Sequence, residues 1–577
     1  MPPAPDNYSS IKERIVEACV EFFALDGKPF DTVTGEGFIN LAKQLMNAGA
    51  SIGTGFSVND LLPHSTTVSR NVDRVYARLK DQLILLCQNV QHFALTCDFW
   101  TEPYTGMYSY VLKSSSLHYG GISLHFVNSD FYLRIFILAC KLYDLPNQKA
   151  YNIRDFVNTT LEEFSLKLNE EIFVVSDNEP KMVCVFKDDA TRVGCSAHYI
   201  NKALEHAFEL DESLCTGVQK LFLIVRDIIS YIRQSHKQSS LSVCVQNYCK
   251  IRFSTVYIML NTFLMIYNEL TSVLNNNQRQ KFLKINYIEL EQPTKYLKHF
   301  HDVLEKLCCE QTPILHLVIP YKQLLINRSS ENDDAHQNLI QLKRYLSEHL
   351  KDYWIIQEIH YVAMLLHPNL KSFYLIPNEI FDASNDENYL QTQPMEKTEL
   401  DLYLEDVTRI DNNTNVLSYW NSNKSLYPNL AQIAKRILSI PATNTSVERL
   451  FSHSGNTVTN RRRRLDADKV NNLLFIKRNL RALKEIYPLA IEQSTKRKSS
   501  LISTDSTSST MPNKKIKLMT EYQDVNETTS DEENDDEQAL DKSLNASYFF
   551  PFFCYLVKIL TYLLEIKTFK YTTRFHI

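Results

Sequence analysis

Strand-forming segments in this chain crowd into one short stretch and then stop, and that boundary restricts the fold more than any other feature. Phe93-Ala94-Leu95-Thr96-Cys97 is a continuous apolar run closed by Asp98, Phe99 and Trp100. Tyr108 to Leu112 and Gly121 to Val127 read as further strands, and Ile172 to Ser176 is a second buried run closed by Asp177 and Asn178. Short apolar runs bounded by turn residues suit strands covered on both faces. Helical periodicity flanks them. Ile15, Cys19, Phe22, Phe23 and then Phe38, Leu41 and Leu45 recur at helical spacing around an interruption at Gly35 and Gly37. Val68, Val72, Val75, Tyr76, Leu79 and Leu83 share one face of a helix expected from about Thr67 through Leu86. From about Leu214 to Glu405 the strand signal vanishes, and amphipathic patterns such as Val218, Leu221, Phe222, Val225, Ile228 and Ile229 take over. Polar loops are expected near 327–337 and 377–393, with helix resuming at Leu430, Ile433, Ala434, Ile437 and Leu438. The expectation is an α/β or α+β core next to a large all-helical domain.

Only 12 glycines in 577 residues fit such a helix-rich chain, and the length calls for roughly two to four domains. The net charge of −5 is an average over unlike parts: the acidic run from Glu521 to Glu537 holds nine carboxylates, and without it the remainder stands at +4. Arg461, Arg462, Arg463 and Arg464 form the densest basic cluster, which can bind phosphates or simply solvate a loop. Twelve irregularly spaced cysteines and an N-terminus without a secretory pattern point to reduced thiols in an intracellular protein. There is no CxxC pair, so no zinc finger of that type is present. After about Glu492 the composition turns to Ser, Thr, Lys and acids and is expected to be disordered to Leu544. Tyr548 to Ile566 is apolar but contains Pro551, Lys558 and Glu565, which argues against a membrane anchor; a non-native tail or a packed helix are the alternatives.

Asp98 and Asp177 are the residues with chemical promise. A carboxylate where a buried strand leaves its sheet is rigidly held at a solvent-facing edge, as two-metal phosphoryl-transfer sites require. The plain alternative is that each Asp closes its strand through a turn.

The C-terminal third carries a resemblance. Ser418-Tyr419-Trp420, Tyr427-Pro428-Asn429-Leu430, Ile440-Pro441-Ala442-Thr443, Ser446-Val447-Glu448-Arg449-Leu450-Phe451-Ser452 with Gly455, Arg461 to Leu465 and Asn471 to Arg478 follow one another in the order of the hAT transposase dimerisation region. Thr96-Cys97-Asp98-Phe99-Trp100-Thr101 resembles the first catalytic strand of that superfamily, and Ser176-Asp177-Asn178 its second. Cys195-Ser196-Ala197-His198, with Asn201 and Leu204, resembles its CxxH helix. The resemblance implies a helical N-terminal region (1–90) and an α/β RNase H-like core (91–213). An all-α insertion (214–415) would interrupt that core, which the dimerisation region (416–485) completes. A disordered tail (486–545) and an apolar end (546–577) would follow.

Residue by residue, the resemblance implies a metal-binding triad of Asp98, Asp177 and Glu448 using Mg²⁺ or Mn²⁺. The two gaps are 79 and 271 residues. It implies DNA contacts at His198, Phe253 and Arg461 to Arg464, with double-stranded DNA and a second copy of the chain as partners and no small-molecule substrate. Trp420, Tyr427, Leu430, Ile437, Leu438, Leu450 and Phe451 would bury apolar surface against a second copy or an adjoining part of the insertion. Alternatives stay open: Thr445-Ser446-Val447-Glu448 also fits a capping box, and Cys195 with His198 suits plain helix packing. Two departures matter. The BED-type zinc finger is missing, as though the chain began just after it, which puts recognition of transposon ends in doubt. Ile251-Arg252-Phe253-Ser254-Thr255 has Phe253 where the family carries a base-stacking Trp. A domesticated, non-catalytic nuclear protein of transcription or chromatin is therefore the competing expectation. Lys496-Arg497-Lys498 and Lys514-Lys515-Ile516-Lys517 suit nuclear import signals.

Overall fold

The computed structural model describes residues 5–26, 28–53, 58–102, 117–187, 190–210, 214–249, 255–330, 336–371, 397–411, 414–457 and 467–488. The expected strand at Tyr108 to Leu112, the loop at 377–393, Phe253, Arg461 to Arg464 and the tail from residue 489 onward lie outside them. The chain forms two compact units, residues 1–72 and 73–577.

The first unit holds α1 (Pro5–Asp26), a 3₁₀ turn (Phe30–Thr34), α2 (Glu36–Ile52), α3 (Val58–Leu61) and the start of α4 (Ser65–Cys87). The expected interruption falls at Gly35, which closes the 3₁₀ turn and precedes α2. Phe22, Phe23, Phe30 and Phe38 meet ring to ring at 5.1–6.0 Å. Nothing in α2 or the 3₁₀ turn is buried, and Ile15, Val20, Leu25, Phe30 and Met46 are exposed.

The second unit is built on a five-stranded mixed sheet of order β3-β2-β1-β4-β5. The strands are β1 (Ala94–Glu102), β2 (Leu117–Val127), β3 (Leu133–Leu142), β4 (Phe173–Ser176) and β5 (Thr191–Gly194). β1–β2 and β2–β3 are antiparallel, while β1–β4 and β4–β5 are parallel. Beside the sheet come α5 (Ala150–Glu162), α6 (Pro180–Val185) and α7 (Ser196–Glu209). The helical stretch follows as α8 (Thr216–Gln234), α9 (Thr255–Met265), α10 (Leu270–Val273), α11 (Asn276–Phe282), α12 (Tyr287–Leu307), α13 (Val318–Arg328), α14 (Gln337–Tyr353), α15 (Glu358–Leu365) and α16 (Glu399–Glu405). No strand occurs among the described residues of that stretch. The chain closes with α17 (Val416–Asn423), α18 (Pro428–Ile437), α19 (Thr445–Thr457) and α20 (Ala467–Ile486).

Two apolar layers sandwich the sheet. Leu95, Cys97, Ile122, Leu124 and Val174 pack with α4 residues Leu79 and Leu83 and α20 residue Phe475. Val175, Val193 and Cys195 on the other side join the helical core. β3 is an edge strand, and α20 covers it. The Ile137 and Cys140 N–H groups donate to Asn479 Oδ1 (2.9 Å) and Asn471 Oδ1 (3.0 Å), and Asn479 Nδ2 donates back to the Ile137 carbonyl (2.8 Å). That satisfies edge groups which would otherwise invite another strand.

Candidate active site

The parallel pairing of β1 with β4 ends at Thr96 against Val175. Asp98 and Asp177 each lie two residues beyond that last pair, so they leave the sheet side by side on neighbouring strand lines. One detail corrects the expectation: β1 does not stop before Asp98 but runs through it to Glu102, with Asp98 opposite Gly121 of β2. Asp98 is an edge residue because β4 has ended beside it, not because its own strand has.

Glu448 on α19 lies near enough for its charge to act on Asp98. The helix begins at Thr445, and the Asn444 carbonyl accepts from the Val447 and Glu448 N–H groups (3.0 and 3.3 Å). Glu448 is thus one position further into the helix than a Thr445 capping box requires, and the Thr445 hydroxyl donates instead to Cys308 Sγ at 3.1 Å. Gly121 lets α19 come this close. A Cβ there would lie 2.3 Å from Val447 Cγ1 and 2.9 Å from Phe451 Cζ. Trp100 stacks on Phe451 at 5.8 Å. Beneath them Ser446 Oγ is 2.9 Å from Thr96 Oγ1 and 2.8 Å from Ser123 Oγ, which is 2.8 Å from His125 Nε2. Thr96 stands two residues before Asp98 and Ser446 two before Glu448, so this fully buried cluster ties the two acids' backbones together.

The electrostatics record the convergence. Desolvation pushes the Asp98 carboxyl well above the usual range, and the charges of Glu448 and then Asp177 push it further; only the Phe99 N–H, donating at 2.9 Å, opposes them. Asp177 is raised as well, by burial first and Glu179 second. Arg192 braces the Asp177 turn, donating to the Asp177 carbonyl, to Ser176 Oγ (3.0 Å) and to Asn178 Oδ1 (2.8 Å). A carboxyl whose proton affinity is raised by two neighbouring carboxylates marks a place where a divalent cation would relieve the repulsion. Among the described residues, however, no three His, Cys, Asp or Glu side chains are grouped closely enough to form a ready-made metal site.

The CxxH residues flank this centre. Cys195 is fully buried, donates from Sγ to Asn444 Oδ1 at 3.1 Å, and so holds the residue before α19. His198, in the first turn of α7, is half-buried, and burial followed by Lys202 lowers its proton affinity. The dimerisation-region residues lie inside the chain's own core. Trp420, Tyr427, Leu430, Ile437, Leu438, Leu450 and Phe451 are all buried, and Trp420 Nε1 donates to the Leu366 carbonyl at 2.9 Å. Their apolar surface is spent on the adjoining insertion and the sheet. No helix among the described residues is long and apolar enough to cross a membrane.

Asp98 on β1, Asp177 directly after β4 and Glu448 on α19 are thus the acids at this end of the sheet. Residues 399–480 match the hAT family C-terminal dimerisation region, and residues 9–67 match the Hermes transposase DNA-binding domain. The Transposable element Hobo transposase of Drosophila melanogaster is 21% identical over 526 residues, covering 76% of this chain and 78% of that protein. The chain is a hAT-superfamily transposase-like protein. The match at 9–67 falls on the region whose sequence reads only as helical, with no zinc-ligand pattern to mark it as a DNA-binding segment. Reasoning also passed over Gly121, although a glycine inside a strand pattern signals close backbone approach.

Proposed function

We propose that this protein is a hAT-type transposase acting in the nucleus on double-stranded DNA as a homodimer, by metal-dependent strand cleavage and transfer. The observation that supports the proposal is that the half-buried Asp98 lies within the fields of Glu448 and Asp177, residues from distant parts of the chain. The strand order, with a long antiparallel β1–β3 meander and two parallel strands beyond it, supports reading the core as RNase H-like.

Asp98, Asp177 and Glu448 would hold Mg²⁺ or Mn²⁺, hard ions that prefer carboxylate and phosphate oxygen. Bound there, such ions supply activation of an attacking oxygen and stabilisation of the leaving one. The chain's own part is to hold the carboxylates rigid. β1 fixes Asp98, Arg192 fixes the Asp177 turn, and the Thr96–Ser123–Ser446 cluster fixes the start of α19. Between residues 9 and 67 there are four Lys or Arg against seven Asp or Glu. Phosphate attraction is therefore weak in that segment, and recognition there would rest on shape and hydrogen bonding. Arg461 to Arg464 would provide the phosphate contacts.

The test is nicking and strand transfer on DNA carrying transposon ends, with Mg²⁺ or Mn²⁺, comparing wild type with Glu448→Gln. Gln keeps the shape but is a poor ligand for a hard cation. Cutting by wild type and none by the variant supports the proposal. A folded, DNA-binding wild type that cuts with neither metal overturns it in favour of the non-catalytic nuclear protein.

A further inference from the structure

Helix α19 is gripped on two sides. Ser446 anchors it to the sheet, as described above. On its other side stands a three-residue corner, Cys308, Cys309 and Glu310, directly after α12 of the insertion. The Thr445 hydroxyl donates to Cys308 Sγ at 3.1 Å. One helical turn further on, Arg449 Nη1 lies 3.1 Å from Glu310 Oε1 without the alignment of a hydrogen bond. The other Glu310 oxygen accepts from Arg478 Nη2 of α20 at 2.8 Å. Positions 445 and 449 share a helix face, so the corner holds that face at two points, and Glu448 is the residue next to the second. The Glu310 side chain is only 19% exposed, and it lines a shallow cleft beside the start of α19 together with Thr445 and Ser446.

We infer that Glu310 is a positioning residue for the proposed metal site: by joining Arg449 to Arg478 it fixes the rotation and depth of α19, and so where Glu448 meets Asp98. The inference rests on the reading of Asp98, Asp177 and Glu448 as metal ligands. Its physical basis is that, beyond the Ser446 anchor, α19 is seated by Val447, Leu450 and Phe451 in an apolar cluster with Tyr119, Ile137, Cys140, Val470 and Leu474, against Gly121 and Trp100. Apolar packing resists separation more than it resists rolling, whereas a paired charge at a set distance resists both. The grip also makes the insertion part of the site, since Glu310 belongs to the loop that ends α12.

The experiment is a Mn²⁺ titration of the full chain, reading free Mn²⁺ by electron paramagnetic resonance, for wild type, Glu310→Gln and Glu310→Asp. Amide exchange of residues 445–451 is followed on the same samples. Glu310→Gln is expected to weaken Mn²⁺ binding about tenfold, as loss of a residue that orients a ligand commonly does, and to speed exchange in α19 but not in β1 or β2. Glu310→Asp keeps the charge and is expected to recover most of both. Mn²⁺ affinity unchanged in Glu310→Gln overturns the inference. So does loosening spread equally over sheet and helices with no recovery in Glu310→Asp, which would make the ion pair merely structural. A wild-type chain that binds no Mn²⁺ removes the metal-site reading itself, and this inference with it.

Discussion

Replacing Gly121 by alanine tests whether close approach of α19 to the sheet is what delivers Glu448. The added Cβ would stand 2.3 Å from Val447 Cγ1 and 2.9 Å from Phe451 Cζ, whereas carbon atoms rest at about 3.5–4.0 Å. More than an ångström must be found. Val447 is fully buried, and a β-branched side chain in a helix has essentially one χ1 rotamer, so the helix must move rather than the side chain. Overpacking of this kind costs about 1–3 kcal/mol. Gly121 is not among the positive-φ residues, so alanine is not strained there and recovers about 0.4–1 kcal/mol by restricting the unfolded chain. The net loss is about 1–2 kcal/mol, concentrated where α19 meets β2, which corresponds to roughly 5- to 30-fold faster amide exchange in residues 445–451. Exchange there at the wild-type rate would refute the reasoning, for it would mean that α19 does not bear on Gly121. If the argument holds, metal-dependent DNA cutting falls in parallel, since a displaced α19 carries Glu448 away from Asp98.

Other perturbations bear on the core and on pH. Trp420→Ala should cost about 3–5 kcal/mol at every protein concentration, because Trp420 is buried in its own chain; a loss that shrinks as protein concentration rises would place it between copies instead. Burial depresses His360 from 6.5 to about 4, so the native chain stays neutral there while the unfolded chain takes up a proton. Stability is therefore lost as pH falls from about 6.5 towards 4, by about 1.4 kcal/mol per unit for this residue. His360→Phe should flatten that part of a urea-unfolding profile measured against pH, and an unchanged slope would rule His360 out as its source. The Asp98 carboxyl moves the opposite way: with a raised native pKa, its stabilising share is full below about pH 4 and lost as pH rises. Asp98→Asn should accordingly stabilise the metal-free chain at neutral pH, seen as a higher urea midpoint, and a lower midpoint would contradict the burial of charge at that position.

Local pattern alone determined much of this protein. The apolar stripe through Val75, Tyr76, Leu79 and Leu83 is the stripe α4 packs on the core, and the runs at Phe93 and Ile172 are the central strands β1 and β4. The silence of the strand signal after Leu214 is matched by helices from α8 to α16. Such features are legible because burial of one face leaves a period in the sequence that forms it. Motif order likewise led to the hAT superfamily. Tertiary structure alone decided the rest. β3 and β5 escaped notice: Leu133 to Leu142 mixes Arg134 and Lys141 into its run, and Thr191 to Gly194 is too short to show a period. Glu448 fits a Thr445 capping box on its local sequence, and only the start of α19 at Thr445 puts it one position beyond that box. Glu310 had no signal at all, because its meaning lies in Arg449 and Arg478, residues more than a hundred positions away. Periodicity records what each segment hides from water. Which charges meet is set by how segments stack, and that depends on pairings the chain makes only once it has folded.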